Sequence, residues 1–159
     1  MTTRLLSVLA VLAVLSGAWF GWSWWRSAHD DFAARVQDRD AVLTAASDAL
    51  VTLNTIDYRE AEPAVDRWIR VTTGELGKTL GEDRQAQLDR ATANQTQASA
   101  SVDQAAVVEL RGDTARVIAV LDVRLSTKGA PGTSNRSRLN AELTRTPDGW
   151  KVDSVQAAS

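Results

Sequence analysis

The chain has 159 residues, 24% of them charged, and a formal net charge of −2 at pH 7. A charge balance so near neutral, without a basic stripe, argues against nucleic acid as a partner. The chain has no cysteine and one histidine, which excludes disulfides and thiol catalysis and argues against a conventional zinc site. We therefore expect no metal and no other cofactor.

The chain opens with an uncharged run, Leu5–Trp25, behind a short tail at residues 1–4. At about 1.5 Å rise per residue, a helix of this length spans a hydrocarbon core of about 30 Å. Amphipathic aromatic rings prefer the headgroup level of a bilayer. The run ends in a cluster of such rings: Trp19, Phe20, Trp22, Trp24 and Trp25. The pattern predicts a transmembrane helix with its aromatic belt at the membrane interface.

A cleaved secretory signal is the alternative interpretation of this run. Arg4 supplies a basic start, and Ser16-Gly17-Ala18 is a small-x-small cleavage motif. Cleavage there would leave an exposed aromatic cluster at the new N-terminus, which soluble proteins rarely carry. We therefore favour an uncleaved anchor in the plasma membrane. The short tail and the acidic pair Asp30-Asp31 favour a cytoplasmic N-terminus and an extracytoplasmic C-terminal part.

The residues after the anchor predict a long amphipathic helix over Asp30–Asn54. Its apolar residues recur at spacings of three, four or seven and are Phe32, Val36, Leu43, Ala46, Leu50 and Leu53. The first turns are highly charged, so we expect residues 26–42 to form a solvated stalk, with a coiled-coil seam as the alternative. Residues 43–159 are expected to form a single extracytoplasmic domain.

Two further helices are expected in this domain. The first covers Ala61–Val71, with Pro63 in its first turn, and Thr72-Thr73-Gly74 ends it and offers a cap to the next. The second is expected to run from Glu75 to about Gln97, irregular at both ends, and to fade into a polar stretch.

From Val102 the apolar period changes to two, which indicates strands. Strands are predicted at residues 105–110, 114–127, 138–146 and 150–155, with a flexible loop at residues 128–134. Helices followed by an antiparallel meander predict an α+β fold with about four strands, one sheet face packed on the helices.

The order of several short motifs resembles the actinobacterial Mce-associated membrane proteins. After the single span, the chain has Ile56-Asp57-Tyr58-Arg59 after a helix, Thr73-Gly74 after the next, and Gly149-Trp150-Lys151-Val152 in the last strand. The resemblance covers the chain from the anchor to about Val155. It implies a curved antiparallel sheet of the cystatin-like or nuclear-transport-factor-2-like kind. It also implies an accessory role in Mce lipid-import complexes, without a catalytic motif.

Three neighbouring residues, Asp57, Tyr58 and Arg59, are the candidate partner contact. The simpler interpretation is structural: Tyr58 packs its ring and donates its hydroxyl to the backbone, while the charges stay solvated. Trp68 and Trp150 are expected in the core.

Two functions of different classes follow from these observations. The favoured one is a non-enzymatic, single-pass accessory subunit that contacts the bilayer and Mce transporter components or other envelope proteins. The alternative is a small-molecule or lipid binder, or an isomerase-like enzyme, that uses a cavity between helices and sheet. An enzyme would have to use Asp57, Tyr58 or Asp122, and the strand period directs Asp122 away from the helices. The sequence does not predict the oligomeric state.

Overall fold

The structure, a computed structural model, describes residues 35–158. The predicted tail, the predicted transmembrane helix and residues 26–34 of the predicted stalk lie outside the described residues. Contacts divide the chain after Asp38, so that a compact unit begins at Arg39. Val42 is fully buried in the core of this unit, and Arg39 donates a hydrogen bond to the carbonyl of Val107 at 2.8 Å.

The helices precede the four long strands, as the sequence pattern predicts. Helix α1 covers residues 35–53 of the described chain. The later elements are β1 (Ile56–Asp57), a 3₁₀ helix (Tyr58–Glu60), α2 (Ala61–Val71), α3 (Gly74–Glu82), α4 (Arg84–Ala93), β2 (Gln97–Arg111), β3 (Thr114–Ser126), β4 (Thr133–Thr146) and β5 (Gly149–Ala157).

The strands form one antiparallel sheet in the order β1-β2-β3-β4-β5, with β3 in the middle. The predicted α+β fold, with helices on a curved antiparallel sheet, is confirmed. The sheet has five strands where about four were expected. The additional strand is β1, whose two residues are too few to show a period in the sequence.

The core lies between α1 and the inner face of the sheet. The inner face is the one toward which every second side chain of β3 points, beginning with Ala115. The buried residues of α1 are Val42, Ala46, Ala49 and Leu50, and those of the sheet include Val117, Ala119, Leu121, Ala141 and Leu143. The predicted apolar stripe of α1 was partly wrong. Val42 and Ala49, which the predicted stripe left out, belong to the core, and the predicted Val36 is 44% exposed.

A smaller cluster joins α2 and α4 to the edge strand β1. Its buried members are Ile56, Ala61, Ala64 and Ala91, with Trp68, Leu88 and Ala98 packed around them. The predicted position of Trp68 in a core is therefore confirmed in this satellite cluster. The cluster holds the short strand β1 against the helices.

The predicted single helix from Glu75 to Gln97 is wrong, because the chain turns at Asp83 (φ −89°, ψ 8°) and α4 starts at Arg84. Arg84 binds carboxylates on α2, with Nε 2.9 Å from Asp66 and Nη2 3.0 Å from Glu62. The break brings this guanidinium beside α2, which a straight continuation of α3 would not do.

Strand β3 was predicted to within one residue, whereas β2 and β4 begin earlier than predicted. Strand β2 begins at Gln97 where the pattern started at Ala105, and β4 begins at Thr133 where it started at Arg138. The first residues of both strands are small or polar and have low strand propensity. They are extended because both pair with the full length of β3.

The Thr73-Gly74 motif connects α3 to β5. Thr73 makes no side-chain cap, contrary to expectation, and its backbone N–H instead donates to the carbonyl of Val152 at 2.8 Å. Gly74 has φ +56°, and a Cβ at this position would overlap the carboxylate of Asp153. The site therefore requires glycine for its torsion and for the close approach of β5.

Candidate functional site

The corner between α1 and α2 contains the three residues that the sequence singled out. We call Asp57, Tyr58 and Arg59 the corner residues. The aromatic belt from Trp19 to Trp25 lies outside the described residues, so its interfacial role stays a prediction. Within residues 35–158, no helix is both long and apolar enough to cross a bilayer.

Asp57 is the structural centre of the corner. Its Oδ1 accepts a hydrogen bond from the backbone N–H of Arg59 at 3.0 Å, which caps the 3₁₀ helix. Its Oδ2 accepts one from the side-chain amide of Gln97 at 3.0 Å, across the β1–β2 pair. The Arg59 N–H and, next, the Gln97 amide lower the pKa of the Asp57 carboxyl, because both donate to its charged form. Asp57 therefore fixes the corner and stays ionised.

Tyr58 and Arg59 form the outward part of the corner. The backbone N–H of Tyr58 donates to the carbonyl of Thr96 at 3.0 Å, which extends the β1–β2 ladder by one bond. The guanidinium carbon of Arg59 lies 5.2 Å from the centroid of the Tyr58 ring, within the range of a cation–π interaction. The Tyr58 hydroxyl has no hydrogen bond in the part of the chain that the structure describes, so the predicted bond to backbone is absent there.

A groove of about 510 Å³ opens beside the corner. It lies where β1, α2 and the ends of β2 and β3 meet, and its lining includes Asp57, Glu60, Arg67, Gln97, Ser99 and Arg124. Arg67 and Arg124 are exposed and have no ion pair within residues 35–158, so the groove presents two guanidiniums beside an exposed carboxylate, Glu60. The groove therefore combines exposed charged side chains with apolar ones such as Ile56 and Ala98.

The candidates for an enzyme do not converge. Asp122 points away from the helices, as predicted, and binds Arg136 on the neighbouring strand, with Nε 3.0 Å and Nη2 3.3 Å from its two carboxylate oxygens. The hydrogen bond from Arg136 lowers the pKa of Asp122. Asp57 and Tyr58 lie at the edge of the sheet, next to β2 and not to Asp122. Within residues 35–158, no group of three His, Asp or Glu side chains could hold a metal ion.

The space where a ligand cavity would open, between α1 and the sheet, is filled by side chains. Val42 and Leu50 of α1 and Val117 and Leu121 of β3 are all 0% exposed. Trp68 lies outside this core, in the satellite cluster, and its indole N–H donates to the carbonyl of Thr52 on α1 at 2.7 Å.

Trp150, the other predicted core residue, packs against the core only in part. It is half-buried, and the guanidinium carbon of Arg145 lies 4.6 Å from its ring centroid.

Sequence reasoning found the corner residues but missed the residues that surround them. Gln97 and Arg124 belong to β2 and β3, and Arg67 belongs to α2. Only the register of β1 with β2 and of β2 with β3 brings Gln97 and Arg124 to the corner, whereas Arg67 lies there because α2 follows the corner directly. Neither register can be read from the sequence, because small polar residues give β2 no visible start.

No family model and no curated protein matches the chain, but solved structures do. An IcmL-like type IV secretion system protein from Legionella pneumophila matches with a TM-score of 0.61 at 14% identity, over 76% of this chain and 91% of that chain. The periplasmic domain of DotI matches with a TM-score of 0.59 at 19% identity, over 74% and 92%. CagV, a VirB8 homolog from Helicobacter pylori, matches with a TM-score of 0.57 at 11% identity, over 76% and 98%.

These matches define the fold. An Ntf2-like protein involved in plasmid conjugation shares it, and so does the beta subunit of a benzoate 1,2-dioxygenase from Burkholderia mallei. At such low identity the likeness shows the fold alone, and the fold is found among secretion subunits and among subunits of an enzyme. The predicted architecture is confirmed: residues 39–158 form an α+β domain of the nuclear-transport-factor-2-like kind.

Proposed function

We propose that this chain is a non-enzymatic accessory subunit of an Mce-type lipid transport system that acts through protein–protein contacts. The corner is the observation that carries the proposal. Asp57 holds the backbone of the corner rigid, and Tyr58 with the exposed Arg59 forms its outward surface. Tyrosine and arginine are the residue types most often found at the energetic centres of interfaces, and a rigid backbone lowers the entropy cost of binding.

Two further observations support a role in an envelope complex. The matched IcmL-like and CagV proteins are components of type IV secretion systems, and the matched DotI fragment is periplasmic. The order of motifs from the Asp57-Tyr58-Arg59 corner to Gly149-Trp150 resembles the Mce-associated membrane proteins. Together they favour an assembly subunit over an isolated enzyme.

The proposal includes a membrane anchor. Leu5–Trp25 would span the plasma membrane with the N-terminus in the cytoplasm, and Trp19–Trp25 would lie in the outer headgroup layer. The domain from Arg39 onward would then stand at the extracytoplasmic surface. Protease accessibility of a C-terminal tag in spheroplasts, compared with an N-terminal tag, tests this orientation.

Co-purification from membranes in mild detergent tests the function. A tagged full-length chain should recover transporter components, and a variant with Tyr58→Ala and Arg59→Glu should recover at least tenfold less. Arg70→Glu is the matched control, because Arg70 is exposed on α2 away from the corner residues. Recovery of no transporter component, while another subunit recovers them, would refute the assignment to this system.

Binding of a lipid or small molecule between helices and sheet is the weaker alternative. It would need Leu50 on α1 to separate from Val117 and Leu121 on β3, since all three side chains are completely buried in the core. Native mass spectrometry of the chain with extracted envelope lipids would detect such a ligand, and a stoichiometric lipid adduct would favour this alternative.

A further inference from the structure

The outer face of the sheet, opposite α1, has an apolar centre that no other part of the described domain covers. Strand β3 is the middle strand, and its outward residues at the centre are Ile118 and Val120. Ile118 is 36% exposed and Val120 is half-buried. Across the sheet Ile118 lies beside Ala106 on β2 and Asn140 on β4, and Val120 lies beside Gln104 on β2 and the exposed Arg138 on β4.

Charged residues lie on both sides of this centre along β3. On one side, Arg116 binds Glu109 at 3.1 Å and Glu142 at 3.8 Å. On the other side, Asp122 binds Arg136, which also lies 3.5 Å from Asp103. All of these side chains are between 30% and 64% exposed, so they are available to another molecule.

The two charged groups are placed symmetrically. Arg116 and Asp122 are each three residues from Ala119, about 10 Å along the strand. On β4, Glu142 is the partner of Arg116 and Arg136 is the partner of Asp122. Consider a two-fold axis that runs parallel to the face and crosses β3 at Ala119 at a right angle to the strand. On both β3 and β4, this axis places each positive position of one copy opposite a negative position of the other.

We infer that this outer face is a self-complementary surface for a second copy of the same chain. In a two-fold contact, if a residue of the first copy meets a given residue of the second, the same pair also meets with the two copies exchanged. Here Arg116 would face Asp122 of the second copy, Glu142 would face its Arg136, and Ile118 would face its Val120. Two facing sheets pack about 10 Å apart, a distance that long charged side chains bridge from both sides.

One juxtaposition of like charges opposes the contact, and the exposed Arg138 would face the uncharged Asn140 of the second copy. On β2, Glu109 comes opposite the region of Asp103 of the second copy, and both are acidic. Each already has a guanidinium neighbour in its own chain, Arg116 for Glu109 and Arg136 for Asp103. The favourable pairs lie on β3 and β4, and β3 is closest to the axis, so we expect a weak but specific dimer.

A charge-exchange cycle on the full-length chain tests the inference. Arg116→Glu places two acids opposite each other, Asp122→Arg places two guanidiniums opposite each other, and the double variant restores opposite charges between copies. Within one chain the double variant repairs nothing, because Glu at 116 still faces Glu109 and Glu142. Rescue by the double variant is therefore a signature of the contact between copies.

Dimerisation would be measured by sedimentation equilibrium in density-matched detergent. Each single variant should weaken the dimer at least tenfold, and the double variant should return to within about threefold of the wild type. Arg67→Glu, on α2 and away from this face, should change nothing. A second cycle with Glu142→Arg and Arg136→Glu should give the same pattern, and serves if a variant of the first cycle does not fold.

Two results would overturn the inference. The first is a wild-type chain that stays monomeric at all concentrations up to about 100 μM, the weak end for specific contacts. The second is a double variant that dimerises as weakly as the single variants. The measurement uses the isolated chain, so it does not depend on the proposed transporter role.

Discussion

The indole N–H of Trp68 lies 2.7 Å from the carbonyl oxygen of Thr52 and joins α2 to the last turn of α1. The same N–H lies 3.3 Å from the carbonyl of Thr55, so one donor serves two carbonyls at the end of α1 and just beyond it. The Thr52 carbonyl also accepts a hydrogen bond from the backbone N–H of Thr55 at 3.2 Å. The contact fixes the angle at which the chain leaves α1 and enters β1. It therefore supports the backbone that leads into the corner residues.

Trp68→Phe should lower the free energy of unfolding by about 1 kcal/mol, because it removes this hydrogen bond and keeps most of the ring. The measurement is urea denaturation of the full-length chain in detergent, followed by circular dichroism. Trp150→Phe is the matched control. The indole nitrogen of Trp150 is buried and has no hydrogen-bond partner among the described residues, so its loss should cost less. Equal losses for both variants would show that the bond to Thr52 is unimportant.

Gly74→Ala should destabilise the domain by at least about 1 kcal/mol. The left-handed backbone at φ +56° alone costs an L-residue roughly 1–2 kcal/mol, and the new methyl group would displace the carboxylate of Asp153. Gly81→Ala is the control in the same helix: nothing lies within 4 Å of a Cβ there, and alanine favours a helix by up to about 1 kcal/mol. Its melting temperature should rise while that of Gly74→Ala falls; the reverse order would contradict this description of the motif.

The stability of the domain should fall in acid partly through Asp57. Its pKa in the folded state is below the ordinary value of 3.8. The unfolded chain therefore binds the proton first as the pH drops, and the stabilisation that is present above about pH 4 is lost as the pH falls through the folded pKa. Asp57→Asn keeps an acceptor for the Arg59 N–H but does not titrate. Its denaturation midpoint should thus depend less steeply on pH below about 4 than that of the wild type, and parallel curves would refute the role of Asp57.

The sequence predicted the parts of the fold whose residues carry their own signal. Every second residue of β3 from Ala115 to Leu125 is apolar, and its predicted end at Thr127 differs from the observed Ser126 by one residue. Helix α2 was predicted at its observed bounds, Ala61–Val71. In both cases the local period and the tertiary contacts favour the same conformation.

The sequence failed where tertiary contacts decide the conformation. Residues 97–101 of β2 are small or polar and have no strand signal, yet they pair with β3 from Ser126 backward. The turn at Asp83 interrupts a pattern that continues on both sides, so tertiary contacts explain it: Arg84 binds carboxylates on α2, and Ala91 of α4 packs in the satellite cluster. The corner residues were singled out from their local order, but the surrounding Gln97 and Arg124 meet them only through sheet register.

Photocrosslinking in intact cells is the most direct test of the proposed role as a contact subunit. A photoreactive phenylalanine analogue would replace Arg59, which is exposed at the corner, and in a control would replace Glu75, which is exposed on α3. The proposal predicts a covalent product with a transporter component from position 59 and at least tenfold less from position 75. No product from position 59, or equal products from both positions, would contradict the corner as the contact surface.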